Sequence, residues 1–293
     1  MNARNILLKR SNTFLFLLMY NQKLLIKLLL GKLKLALARD KSDKHIKKMG
    51  EINYDLNFDF SVTNLEIKEK RLGYYELAIV DFMQQVLRPG DVFIDVGANV
   101  GYLTAIGASC VGKQGEVHAF EPIPLYATHI EKWANKNDSF KIIINHSALS
   151  DRDGSAKINV SRPPYTGNSS LVKDPKCQSI YQGEMDVPLT RLDTYISKNK
   201  IHKEKIKLIK IDVEGYEIPV LLGLKDYFEN TAHRPFIICE VRGSLYSALG
   251  YQMSDLLSYL AQYGYQAYNI YAPKVKFDLN ADGVGEVNVI FKC

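Results

Sequence analysis

Apolar positions fall into short runs, one of them (Ile206–Ile211) broken by Lys207 and Lys210, separated by amphipathic stretches and turns. Val92–Val96, Glu116–Phe120, Lys141–Asn145, Ile206–Ile211, Pro235–Val241, Tyr265–Ile270 and Val287–Phe291 are rich in β-branched and aromatic residues. Runs of that length and kind predict strands buried on both faces. Helical spacing marks the segments between them. It predicts helices over Tyr74–Leu87, Val100–Cys110, Leu125–Asn135, Ile218–Leu224 and Met253–Tyr263, with a short one beginning at Arg191. Arg88-Pro89-Gly90-Asp91 is the turn that stops the first of these. Strand and helix alternate from Val92 to about Ile270, which predicts an α/β protein with a mostly parallel sheet and helices on both faces.

The alternation pauses once. Ser155–Val160 reads as an extra strand, and Ser161 to Met185 carries Pro163-Pro164, Gly167-Asn168-Ser169-Ser170 and Pro175. It reads as a long irregular insertion, a feature that compact domains reserve for function. Asp186–Leu189 is short and extended. Before the first helix, Asn53 to Ile67 alternates loosely and suggests a hairpin or lid.

The N-terminus has a different pattern. Residues 14–38 are leucine-rich and read as an amphipathic helix, with Lys23, Lys27 and Lys34 on one stripe. The longest uncharged stretch, Ser11–Gln22, is too short for the ~20 residues of a spanning helix. Two readings stand. The helix lies on an anionic membrane surface, or it packs on the main domain or a second subunit. Ala36-Leu37-Ala38 resembles a signal cleavage site, but lysines interrupt the apolar core such a peptide needs. The division expected is a basic arm and linker over 1–50 and one domain over 51–293.

Charge changes the picture. The net +6 resolves into +10 on residues 1–50 and −4 on the rest, so the domain itself disfavours a nucleic-acid partner. Cys110, Cys177, Cys239 and Cys293 are far apart in sequence. They form neither a zinc knuckle nor a redox pair, and their usage suits the cytoplasm.

Candidate chemistry sits at the strand ends, where open α/β sheets bind ligands. The first strand runs into Gly97-Ala98-Asn99-Val100-Gly101. Glycines there let backbone approach a ligand, and the next helix offers free N–H groups. No third glycine completes a dinucleotide fingerprint, and no phosphate-binding G-x-x-x-x-G-K-[ST] occurs. The other ends carry Glu121, His146-Ser147, Asp212/Glu214 and Glu240. Glu121 lies 26 residues beyond Asp95, near the spacing of a carboxylate that holds a ribose diol. Acid-lined ends repel phosphate and suit a cationic, phosphate-free cofactor such as S-adenosylmethionine.

Asp95-Val-Gly-Ala-Asn-Val-Gly101, Phe120-Glu121-Pro122, Leu192-Asp193 and Ile209-Lys-Ile-Asp-Val-Glu-Gly-Tyr-Glu217 together resemble the FkbM family of S-adenosylmethionine-dependent methyltransferases, over about Tyr74 to Val241. The resemblance implies a class I methyltransferase fold, Rossmann-like, with a seven-stranded sheet whose last strand is antiparallel. It implies methyl transfer to a hydroxyl of a glycan, glycolipid or similar natural product. Asp95 with Gly97, Asn99 and Gly101 would then hold the methionine end. Glu121 would take the ribose hydroxyls, and Ser147 the adenine side. Asp212 and Glu214 would receive the acceptor hydroxyl and its proton, although one of them could instead cap the following helix. His146 is an alternative base. Glu217 faces solvent or caps. Asp212, Glu214 and Glu240 could instead hold Mg²⁺, a choice that spacing leaves open. Tyr165 and Tyr181 on the insertion could stack on a sugar. The competing reading is a non-catalytic, membrane-associated module that keeps the fold. An RNA or protein methyltransferase is weaker still, since the domain is acidic and no strand ends in Asn-Pro-Pro-Tyr.

Overall fold

The computed structural model describes residues 19, 21–26, 29, 48–49, 52–53, 76–162, 165–280 and 285–293. From residue 76 onward the chain builds β1 (Val92–Val96), β2 (Glu116–Phe120), β3 (Lys141–Asn145), β4 (Ala148–Leu149), β5 (Gly154–Ser161), β6 (Tyr181–Thr190), β7 (Ile206–Ile211), β8 (Phe236–Val241), β9 (Gln266–Asn269), β10 (Ala272–Lys276) and β11 (Val287–Lys292). The helices include α1 (Leu77–Val86), α2 (Tyr102–Val111), α3 (Pro124–Lys136), α4 (Leu192–Lys198), α5 (Glu217–Leu222), α6 (Lys225–Asn230), α7 (Gly243–Tyr246) and α8 (Met253–Gln262).

The main sheet has eight strands in the order β10-β9-β11-β8-β7-β1-β2-β3. The pairs β8–β7, β7–β1, β1–β2 and β2–β3 are parallel, while β11 runs antiparallel to both β8 and β9. The seven expected strands are all present, with the closing one reversed. The correction is an eighth, β10, which turns back antiparallel on β9 at the sheet edge. The apolar character of these runs is explained by burial on both faces. Ile94, Ile209 and Ile237 join one core cluster, while Phe93, Leu208 and Ile238 join the cluster on the opposite side.

The insertion is more ordered than the sequence suggests. β6 is ten residues long and pairs antiparallel with the whole of β5, with one register shift near Gln182, while β4 joins its other edge. The irregular part shrinks to the segment between β5 and β6, which contains two short 3-10 turns, Thr166–Asn168 and Pro175–Ile180. Lys48–Met49 pairs with Ile52–Asn53 in a small hairpin. The hairpin or lid expected over Asn53–Ile67 lies outside the described residues, apart from Asn53.

Residues 22–26 of the arm are helical. Leu24 is only 1% exposed, and with Leu25 it joins the core cluster of Ile79, Phe82, Met83 and Ile270. Asn21 fastens this turn at both ends. Its Nδ2 donates to the Tyr271 carbonyl at 2.9 Å, and its Oδ1 accepts from Leu24 N at 3.1 Å. These contacts favour packing on the domain. Met19, Ile26 and Leu29 remain exposed. Among the described residues no helix is long and apolar enough to cross a membrane. Leu24→Ala is expected to cost about 2–4 kcal/mol, the usual penalty for emptying a buried leucine site. A thermal melt reads this as a midpoint lower by roughly 5–10 °C, and an unchanged midpoint would show that the arm contributes nothing to the core.

Candidate functional site

The turn after β1 is pinned to its neighbours on both sides. Gly97 N and Ala98 N donate to the Phe120 carbonyl at 3.0 Å each, at the end of β2. On the other side Asp212 N donates to the Val96 carbonyl at 3.1 Å. Gly97 has φ +75°, and a Cβ built on it would stand 1.9 Å from the Asp212 carbonyl oxygen. Only glycine fits there. Asn99 and Glu214, both non-glycine, also adopt positive φ, 51° and 58°. Such conformations persist where surrounding structure enforces them, and they cluster at functional sites.

Two recesses open beside this turn. The first is lined by Gly97, Asn99, Glu121, Ser147, Asp212 and Glu214, among others. The second, about 380 Å³, is bounded by Glu76, Lys210, Asp212, Glu214, Glu240 and Glu286 with the flank of the turn. The sequence-predicted residues thus converge, with two qualifications. Asp95 and Gly101 are in neither wall. The Asp95 side chain is fully buried under the turn, where Oδ2 accepts from Thr104 Oγ1 at 2.6 Å.

Glu121 is buried and accepts two backbone bonds, from Asn99 N at 2.8 Å and from Ile123 N at 2.9 Å, one on each oxygen. Burial pushes its carboxyl up to about 7, although those bonds and nearby Lys210 pull the other way. Each oxygen keeps a lone pair for a further donor. His146 stands elsewhere. It is exposed and its Nε2 pairs with Glu131 at 2.8 Å, and neither recess includes it. A base role for it is therefore dropped. Tyr165 is exposed, and the Tyr181 hydroxyl accepts from Asp174 N at 3.3 Å.

The strand ends are not uniformly acidic, because two cations missed by the sequence reading hold them together. Lys210, on the central strand β7, is 4% exposed. Its Nζ lies 3.1 Å from Asp212 Oδ2 and 3.6 Å from Asp95 Oδ1, and donates to the Gly97 carbonyl at 3.1 Å. Burial alone would lower its pKa, but Asp212 and Asp95 raise it further, so it stays charged. Arg242, just past β8, pairs through Nη1 with Glu214 and through Nη2 with Asp174 at 3.3 Å and Glu286 at 3.1 Å. Glu217 was expected to face solvent or to cap. It is fully buried and accepts from Gly215 N at 2.7 Å, which fixes the turn after Glu214. Burial raises its carboxyl to about 7. Glu240 stands beside Asp212, and burial followed by that neighbour drives its pKa well up. One oxygen each of Asp212, Glu214 and Glu240 lies within 4.8 Å of the others.

The sequence is similar to known proteins. The model of the methyltransferase FkbM domain family matches residues 95–267. The AMB antimetabolite synthetase AmbE of Pseudomonas aeruginosa is 28% identical over 209 residues, which cover 60% of this chain and 10% of that protein. Methyltransferase 1 of Beauveria bassiana is 24% identical over 175 residues, covering 55% of this chain and 70% of its own. The crystal structure of methyltransferase FkbM from Methylobacillus flagellatus superposes with a TM-score of 0.41 at 14% identity, covering 75% of this chain and 52% of that one. The chain thus spans about a tenth of the synthetase and about half of the crystallised protein.

Proposed function

The chain belongs to the FkbM methyltransferase family, and we propose on that premise that it transfers a methyl group from S-adenosylmethionine to a hydroxyl of a glycan, glycolipid or similar small molecule. The observation that carries this reading is the convergence of the glycine turn, Glu121 and the Asp212/Glu214 pair on adjoining recesses.

The residues present fit such a cofactor. Gly97 and Asn99 line the same recess as Glu121, and Glu121 has acceptor capacity on both oxygens after satisfying two backbone N–H groups. Glu121 would hold the ribose diol, Ser147 would border the adenine, and Gly97 to Gly101 would meet the methionine end. Asp95 acts one step back, holding Lys210 and Thr104 so that the turn keeps its shape. When bound, the cofactor supplies an electrophilic methyl on a cationic sulfur, which acid-lined strand ends favour over a phosphate-bearing ligand.

Asp212 and Glu214 are the proposed catalytic pair, placed to orient an acceptor hydroxyl and take its proton. Lys210 and Arg242 fix their carboxylates, so the geometry is set before an acceptor arrives. Isothermal calorimetry with S-adenosylhomocysteine tests the first half of the reading. One site per chain is expected, and absence of binding would remove the proposal. Asp212→Asn combined with Glu214→Gln tests the second half. This variant should bind S-adenosylhomocysteine but lose transfer of labelled methyl into a glycan and metabolite extract. A wild-type chain that binds the cofactor product yet methylates nothing in such extracts would instead favour the non-catalytic module.

A further inference from the structure

We propose that Ser170, on the insertion between β5 and β6, is the positioning residue for Glu214 and ties the wall of the first recess to that carboxylate. What Glu214 does rests on the methyltransferase reading. How Ser170 reaches it rests on hydrogen bonds alone. Glu214 stands in a backbone conformation that a residue with a Cβ disfavours, since its φ is +58° and that of Gly215 is +103°. The peptide between the two is gripped at both ends. Its N–H, on Gly215, donates to Glu217 Oε1 at 2.7 Å. Its carbonyl, on Glu214, accepts from Ser170 Oγ at 2.8 Å. The Glu217 grip is local to the turn, whereas Ser170 is 44 residues away in sequence, so Ser170 fixes the turn against the rest of the site.

The Ser170 hydroxyl hydrogen is committed to this turn. Oγ accepts from Val172 N at 2.9 Å, and a carbonyl can only accept, so the hydrogen points at Glu214. The Val213 carbonyl, at 3.4 Å, is the weaker acceptor beside it. Ser170 is itself anchored and 2% exposed. Asn159 N and Nδ2 donate to its carbonyl at 2.9 and 3.0 Å, and its own N–H donates back to the Asn159 carbonyl at 3.1 Å.

The same stretch of chain also holds the carboxylate end. Arg242 pairs with Glu214 through Nη1 and with Asp174, on the same insertion, through Nη2 at 3.3 Å. Thr166, Gly167, Ser169 and Leu171, around Ser170, line the first recess. One segment therefore walls the proposed cofactor recess and grips Glu214 twice, by its backbone directly and by its side chain through Arg242. A base must stand within hydrogen-bond reach of the proton it takes, and a misplacement of about 1 Å costs on the order of a hundredfold in rate. With its hydrogen spent inside the protein, Ser170 acts on turnover and not on cofactor affinity.

The test is Ser170→Ala in the full chain, with Ser170→Thr as the variant that restores a hydroxyl. Calorimetry measures S-adenosylhomocysteine affinity. Transfer of labelled methyl from S-adenosylmethionine into a glycan and metabolite extract measures kcat and KM for the methyl donor. Nuclear magnetic resonance measures hydrogen exchange of the Gly215 amide. Ser170→Ala should hold affinity and KM within about threefold, lower kcat roughly ten- to a hundredfold, and speed Gly215 exchange at least ~fivefold. Ser170→Thr should recover most of kcat. If it does not fold, Ser170→Cys replaces it and, as a weaker donor, should fall between wild type and Ser170→Ala. Wild-type kcat in Ser170→Ala, a kcat loss matched by an equal loss of affinity, or unchanged Gly215 exchange would each overturn the positioning role. A wild-type chain that binds S-adenosylhomocysteine and methylates nothing in the extract would overturn the methyltransferase reading and this role with it. Quickened Gly215 exchange in Ser170→Ala would then trace the failure to that reading and not to the hydrogen bond.

Discussion

Lys210→Met is expected to remove about 3–5 kcal/mol of folding stability, the usual result of deleting one partner of a buried ion pair. Methionine matches the length of the stem and leaves no void, so the loss isolates the charge. Lys210 is the cation between Asp95 and Asp212 and the donor to the Gly97 carbonyl. Without it, Asp95 is left fully buried with Thr104 as its remaining donor, since its Oδ1 accepts no hydrogen bond. Urea denaturation measures the effect. Adding Asp95→Asn should recover part of the loss, because the second substitution removes the charge the first has stranded. A single-variant loss below about 1 kcal/mol would show that the pair is solvated and that the turn does not depend on it.

The second large effect concerns Glu121 and pH. Its carboxyl is pushed up to about 7 by burial in the free protein. Two ribose hydroxyls donating to it would favour the ionised form, so the bound state should titrate at a lower pH than the free one. The sign follows. Affinity for S-adenosylhomocysteine is constant above pH 7, where both states are ionised, and falls up to ~tenfold per pH unit below it, until the bound state also takes up a proton. Calorimetry in buffers of different ionisation enthalpy should detect a proton released on binding near pH 6. In Glu121→Gln the slope should vanish. Affinity should drop on the order of a hundredfold, because the amide loses the charge. Whichever way it turns, its NH₂ also meets a backbone N–H at Asn99 or Ile123. A pH slope that survives in Glu121→Gln would assign it to another group.

The sheet strands were legible because a strand buried on both faces must be apolar at every position, and few other local structures call for a run of that kind and length. Strands β1, β2, β3 and β7 begin and end where the apolar runs do. Strand β10 escaped because it is an edge. Pro273, Lys274 and Lys276 give it the composition of a turn, and its pairing with β9 is what makes it a strand. The length of β6 escaped for a similar reason. Gly183, Glu184, Asp186 and Pro188 read as loop, and only the antiparallel register with β5 extends it to Tyr181.

The carboxylates of the site were legible from their positions at strand ends. Their countercharges were not. Lys210 registered only as an interruption in β7, although a lysine in the middle of a buried strand requires an acid nearby, and that signal was present. Arg242 had no such signal. Asp174 is 68 residues away and Glu214 is 28, so their meeting depends on how the β5–β6 insertion returns to the end of β8. Glu217 looked like an ordinary helix-start acid and proved to be the buried brace of the turn before it.

The backbone contact between Gly97 and Asp212 has a mechanical consequence. The Val96 carbonyl accepts from Asp212 N, the Gly97 carbonyl accepts from Lys210, and Gly97 has no side chain to hold the two loops apart. The turns after β1 and β7 are therefore tied into one unit rather than standing as two separate jaws. Their alignment is set when the sheet folds, so the entropy of bringing the loops into register is spent once, at folding, rather than at every turnover. Rate gains in such a molecule would come from refining the shape of a fixed slot, and substitutions that loosen this joint would lower turnover even while both ligands still bind.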